Sequence, residues 1–158
     1  MPATPIQAPA RIDAGQTLEV SFTVENRAEV PAGAFWDDRV VLSSDDVLGN
    51  ADDVVIGTVR QTENLAIGAR YTETVSTDLS ILQAGGTYTI FLSVDFGDRV
   101  DELDEDNNVA SSLLVIETVG IPDLVVDSVT TAAEGFNGEA LEVTWTVRNA
   151  GAGVTTNN

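Results

Sequence analysis

The sequence predicts an all-β fold, an antiparallel β-sandwich with Greek-key connections, and three observations carry that expectation. Strict alternation of apolar and polar residues recurs in short runs along the chain, Gly, Pro, Asn and Asp clusters separate the runs, and no segment shows sustained helical periodicity. A two-residue period marks a strand with one buried face, and many short strands with turn-rich connectors pack as two sheets.

The first run, "AGQTLEVSFTVEN" at 14–26, places Leu18, Val20, Phe22 and Val24 on one face, as a half-buried strand requires. Further runs follow at "DRVVLSS" from 38, "DVVIGTVR" from 53, "RYTETVSTDL" from 70, "TYTIFLSVDF" from 87 and "NVASSLLVIE" from 108. In "LQAGGTYTI" at 82–90, Leu82 precedes Tyr88 across a glycine turn, the pattern of a tyrosine corner entering a late strand of an immunoglobulin-like sheet. The plainer reading of Tyr88 is a half-buried strand aromatic. At "TVGIPDLVVDS" (118–128) Gly120 and Pro122 interrupt the pattern and "DLVVDSVTT" begins a new strand.

The final run, "NGEALEVTWTVRN" at 137–149, repeats the first. With Gly15 over Gly138, the residues Leu18, Val20, Phe22, Val24 and Asn26 fall over Leu141, Val143, Trp145, Val147 and Asn149 without a gap. The chain therefore reads as one repeat over residues 1–119 and the N-terminal part of a second, truncated repeat over 120–158. On this alignment Trp145, flanked by Val143 and Val147, is expected in a core. The apolar strand face of so short a fragment cannot be buried by the fragment itself, which points to pairing with another chain or folding back on the first repeat.

Composition removes several classes of function. The formal net charge is −19, from 26 acids against seven bases, and all seven bases are arginine. Nothing in such a chain neutralises phosphates, so nucleic acid and anionic membrane surfaces are excluded as partners. Cysteine and histidine are absent. Disulfides and thiolate metal sites are therefore impossible, and the commonest general base and nucleophile activator is missing. No apolar run reaches the roughly 18 residues of a membrane span. The opening "MPATPIQAPARIDAG" lacks the regions of a signal peptide and reads as a cut end, with any export signal outside this chain.

The acids are the remaining candidates for chemistry. Loop acids surrounded by other acids offer no apolar pocket to split a carboxylate pair into acid and base, and Ser43 and Ser44 have no His or Lys to activate them. These serines read as strand-end hydrogen-bond partners, and no enzyme is expected. As oxygen ligands for calcium, two loops qualify on composition. "SSDDVLGNADD" offers Asp45, Asp46, Asn50, Asp52 and Asp53; "DFGDRVDELDEDNN" offers Asp95, Asp98, Asp101, Glu102, Asp104, Asp106 and Asn107. Neither has the spacing of an EF-hand, and Asp and Asn also favour turns through their own side-chain bonds, so both readings stay open. Asn107 and Asn108 are expected to cap the second loop, and Val100 and Leu103 to anchor it from beneath. Trp36 is either a core residue or a platform for stacking a sugar.

The runs "PDLVVDSVTT", "LEVTWTVRNAGAG", "DRVVLSSDDVLGNADDVVIG" and "VDFGDRVDELDEDNNVA" resemble the CARDB family, the cell-adhesion-related domain found in bacteria. The first copy departs from the pattern in lacking a "PDL" opening strand, with "PATPIQAPARI" in its place. The resemblance implies immunoglobulin-like sandwiches arranged in tandem in large secreted or surface proteins. It makes the chain an extracellular or cell-surface structural or adhesive module, possessing neighbouring repeats of the same protein as partners and calcium as a candidate stabiliser. The alternatives are a calcium-dependent glycan-binding module using Trp36, or a self-assembling, strand-exchanging fibre subunit.

Overall fold

The computed structural model describes residues 6–79, 85–102, 104–118 and 120–155. The chain divides into two compact units, Met1–Thr118 and Val119–Asn158. Unit one holds β1 (Arg11–Asp13), β2 (Thr17–Glu25), β3 (Trp36–Ser43), β4 (Val54–Gln61), β5 (Arg70–Asp78), β6 (Gly86–Ser93) and β7 (Val109–Glu117); unit two holds β8 (Leu124–Thr131) and β9 (Val143–Asn149). Each alternating run of the sequence is a strand.

In unit one a five-stranded sheet, ordered β1-β7-β6-β3-β4, faces the antiparallel pair β2-β5. This is the immunoglobulin-like sandwich. Leu18, Val20, Phe22 and Val24 of β2 are buried with Trp36, Val40 and Leu42 of β3, Ile90 and Leu92 of β6, and Leu114 and Ile116 of β7. The other face of the β2-β5 pair carries hydroxyls, and directly opposed residues bond across it: Ser21 with Thr74, and Thr23 with Thr72 at 2.7 Å. At Gly57, β4 passes so close to Val75 of β5 that no side chain fits between them.

The leading segment serves both sheets. Gln7 and Ser21 exchange backbone bonds of 2.8 and 2.9 Å, continuing the β2-β5 sheet. Pro9 has no N–H with which to continue that ladder, and beyond it β1 pairs in parallel with β7, Arg11 opposite Val115. Alternation could not reveal β1, because three residues carry no period and its partner is distant in sequence. The missing "PDL" strand is thereby accounted for, since the hairpin pair Thr130–Thr144 falls, in the repeat alignment, over Gln7–Ser21.

The repeat also extends to a turn. The Asn26 Oδ1 accepts the Ala28 N–H while its Nδ2 donates to the Val30 carbonyl. Asn149 does the same with the N–H of Gly151 and the carbonyl of Gly153.

Burial separates the copies. Phe22 is 1% exposed, whereas Trp145, its counterpart, is 65% exposed. The described part of unit two is a two-stranded sheet whose face of Leu141, Val143, Trp145 and Val147 is exposed, so the core position expected of Trp145 in a whole repeat is not formed by this partial one. The Leu82 half of the tyrosine corner lies outside the described residues; Tyr88 is half-buried against the core.

Candidate functional site

The two acidic loops leave the five-stranded sheet at opposite ends. Ser43, where β3 ends, pairs with Thr89, whereas Ser93, where β6 ends, pairs with Arg39.

In the first loop the acids close turns. Asp45 Oδ1 accepts the Val47 N–H at 2.8 Å and Asp45 Oδ2 the Asn50 amide at 2.9 Å. Asp52 Oδ2 accepts the Ser44 N–H and both serine hydroxyls, which hold its carboxyl below the usual range, the Ser44 hydroxyl first. Asp53 Oδ2 takes the Gly49 N–H. Asp46 is exposed. The loop leans over the sheet, so that Asn50 and Asp53 share a cleft of about 340 Å³ with Arg39 and Phe96. The Arg39 guanidinium lies 3.5 Å above the Phe96 ring, and its charge disfavours a divalent cation in that cleft.

The second loop connects β6 to β7, two adjacent antiparallel strands, as a long hairpin connection. Asp95 is buried, and its Oδ2 accepts the N–H groups of Arg99 and Val100 at 2.9 and 2.7 Å. Asp95 and Asp98 both have positive φ, 44° and 50°, which Asp tolerates better than most residues. Asp104 caps a 3₁₀ turn, Glu105–Asn107, by accepting the Asp106 N–H. Asn108, also buried, donates to Glu102 Oε2 at 2.6 Å and Glu105 Oε2 at 3.1 Å. The cap expected from the Asn pair is therefore divided, with Asp104 closing the turn and Asn108 tying the acids down. Asp101 and Asp106 are exposed. Val100 packs against the core; Leu103 lies outside the described residues.

Among the described residues no three acids gather as a metal-ligand set. Three oxygens of the expected ligands are nonetheless enclosed without a hydrogen-bond partner: Asp53 Oδ1, Asp95 Oδ1 and Asn107 Oδ1.

Trp36 is 1% exposed, so its ring offers no face to a sugar and the expectation of a stacking platform at this residue is corrected. It is a core residue whose ring meets Tyr71 at a centroid distance of 6.2 Å and a tilt of 54°. The exposed neighbour is Phe35, held at φ 76°.

Beside Trp36 lies a second constellation, centred on Asp38 rather than on the loop carboxylates. Asp38 is wholly buried. Its Oδ2 accepts the Tyr71 hydroxyl at 2.6 Å and the Gln61 amide at 3.1 Å, while Oδ1 accepts the Asp95 N–H at 3.2 Å. Burial pushes the Asp38 carboxyl up, against the pull of these donors, and burial beside Asp38 pushes the Tyr71 phenol well above its ordinary value. The bond joins β3 of one sheet to β5 of the other. The signal was present in the alternation, since the register that turns Trp36, Val40 and Leu42 inward turns Asp38 inward too.

Above this group is a cleft of about 360 Å³, lined among others by Tyr71, Asn64, Arg60 and Arg70. Asp37 holds Arg60 through two bonds of 2.8 Å, and Glu25 holds Arg70 at 3.1 Å.

A model of the CARDB family matches residues 4–112. No curated protein matches the chain. Among solved structures, the CARDB domain of a Pyrococcus furiosus protein, in complex with di-metal ions, aligns with a TM-score of 0.57 at 20% identity, covering 73% of this chain and 90% of that one. A Listeria innocua β-glucosidase in complex with laminaribiose aligns with a TM-score of 0.52 at 14% identity, covering 73% of this chain and 16% of the enzyme. The Pseudomonas fluorescens alkylpurine DNA glycosylase AlkC, bound to DNA containing an abasic site analog, aligns at 0.51 and 15% identity, covering 73% of this chain and 30% of the enzyme. At these identities the likeness is one of fold.

Proposed function

The chain belongs to the CARDB family of adhesion-related modules, and on that premise we propose that it is a non-enzymatic, extracellular structural and adhesive repeat of a larger secreted or surface protein. The observation that carries this reading is the use made of the acids. In both loops the carboxylates accept bonds from the turns they sit in, which rigidifies the ends of the sandwich and leaves the surface strongly charged and soluble. The apolar strand face of unit two, whose residues align with the buried face of β2 in unit one, is where self-association is placed in this reading. Its partners are strands of the same kind, supplied by neighbouring repeats or by a second copy. Beads coated with the protein are expected to cluster, and Trp145→Ser to reduce the clustering. Beads that stay dispersed, together with a monomeric sedimentation profile at high concentration, would refute self-association.

Calcium belongs to the proposal at the second loop only. Asp95 Oδ1 and Asn107 Oδ1 are enclosed oxygens without a donor, the kind of group that an ion or ordered water satisfies. The CARDB domain of the Pyrococcus furiosus protein is itself in complex with di-metal ions, a comparison in favour of metal binding by a domain of this fold. Calcium is expected to raise the thermal midpoint beyond magnesium at matched ionic strength, and Asn107→Ala to remove the difference. Equal shifts from the two salts would mean that the acids are merely screened.

A further inference from the structure

We propose that the cleft between the end of β4 and the start of β5 is a binding site for a neutral saccharide unit, a recognition function beyond that of a spacer. The cleft holds about 360 Å³, within the range of small-ligand sites. Its lining includes the Tyr71 ring, which is held rigidly. The Tyr71 hydroxyl is locked to the buried Asp38 at 2.6 Å and its ring is braced by Trp36 behind it, so the phenol is held in place before any ligand arrives.

Its rim is polar and pre-positioned. Asp37 takes the Nε and Nη2 of Arg60, and Glu25 takes the Nη2 of Arg70, which fixes both guanidinium groups while leaving each further N–H donors. Asn64 and Glu73 line the same cleft and add an amide and a carboxylate. Donors and acceptors side by side suit hydroxyl groups, which are both, and the Tyr71 ring in the lining suits the apolar face of a sugar ring.

Charge decides between neutral and acidic sugars. Each arginine is already paired with a carboxylate, Glu63 and Glu73 add two more acids, and the chain as a whole carries −19. A uronate or sulfated sugar would be repelled. The sugar-stacking role therefore moves from Trp36, which is covered, to Tyr71.

The test uses the intact chain and the two tryptophan indole N–H resonances, because Trp36 borders the cleft whereas Trp145 lies in the other unit and serves as an internal control. Methyl glycosides of glucose, galactose and mannose are titrated, with glucuronate and choline as charged arms. The expected result is a saturable shift of the Trp36 signal by at least one neutral glycoside, an unmoved Trp145 signal, and at least tenfold weaker binding in Asn64→Ala and Arg70→Ala. Both substitutions are at exposed positions and are expected to leave the thermal midpoint unchanged. The proposal is overturned if no neutral glycoside moves Trp36, if binding survives both substitutions, or if only glucuronate or choline binds.

Discussion

Replacing Tyr71 by Phe removes one oxygen and leaves the ring, which isolates the bond that joins the two sheets through Asp38. The wild-type bond is 2.6 Å long and its acceptor is a wholly buried carboxylate. Hydrogen bonds to charged groups contribute about 1.5–3 kcal/mol, against roughly 0.5–1.5 kcal/mol for neutral pairs. Asp38 keeps the Gln61 amide and the Asp95 N–H, so it is weakened rather than stranded, and the expected loss near neutral pH is about 2 kcal/mol. Acid changes the figure in a direction the structure fixes. The folded-state carboxyl is raised above its ordinary value by burial, so folding favours the protonated form. The stability this group contributes is fully present below the unfolded pKa and is lost as pH rises through the folded one. Once Asp38 is protonated, the Tyr71 bond is a neutral pair, and the cost of the substitution falls to about 1 kcal/mol. Urea unfolding of both proteins at about pH 7 and about pH 4, with ΔG from midpoint and slope, reads the difference directly. Repulsion among the surface acids changes with pH in both proteins and cancels in the comparison. A loss within about 0.5 kcal/mol at both pH values, the range of ordinary surface substitutions, would refute the account.

The repeat supplies a paired test: Phe22→Ala is expected to cost about 3–5 kcal/mol and Trp145→Ala less than about 0.5 kcal/mol in the unfolding of unit one, although the two residues align. Equal effects would show that the exposed hairpin is part of the same cooperative core. Gly57→Ala is expected to cost roughly 1–3 kcal/mol by overpacking, because an added Cβ would meet Val75 Cγ1 at 2.2 Å; an unchanged midpoint in thermal unfolding would mean that β4 and β5 separate freely. Asn26→Ala removes donors and an acceptor serving Ala28, Val30 and Leu65 and is expected to cost about 1–3 kcal/mol in urea unfolding, with Asn26→Asp failing to restore it because the two carbonyl partners need an amide.

What could be read from the sequence, and what could not, follows from the range of the interactions involved. The strands β2 to β9 announce themselves because a period of two is local, and each needs only its own side chains to declare an inner face. β1 is silent: Arg11–Asp13 is defined by a parallel pairing with β7 across nearly the whole of unit one. The acidic loops were legible as turns for the same local reason that Asp45, Asp95 and Asp104 bond to N–H groups a few residues away. Their reading as a gathered ligand set required distances that a sequence does not contain.

Asp38 shows how a local signal can be passed over when its type is misjudged. A carboxylate at an inward register is costly unless donors meet it, so its presence between Trp36 and Val40 already implies partners from elsewhere in the fold. Those partners come from three different places: Gln61 at the end of β4, Tyr71 at the start of β5 and the backbone of Asp95 after β6. One buried group thus sets the relative positions of the elements that frame both the second acidic loop and the cleft above Tyr71. Its removal would loosen the two together. That coupling makes Asp38 a positioning residue for any ligand of the cleft, even though it faces away from the solvent that the ligand would come from.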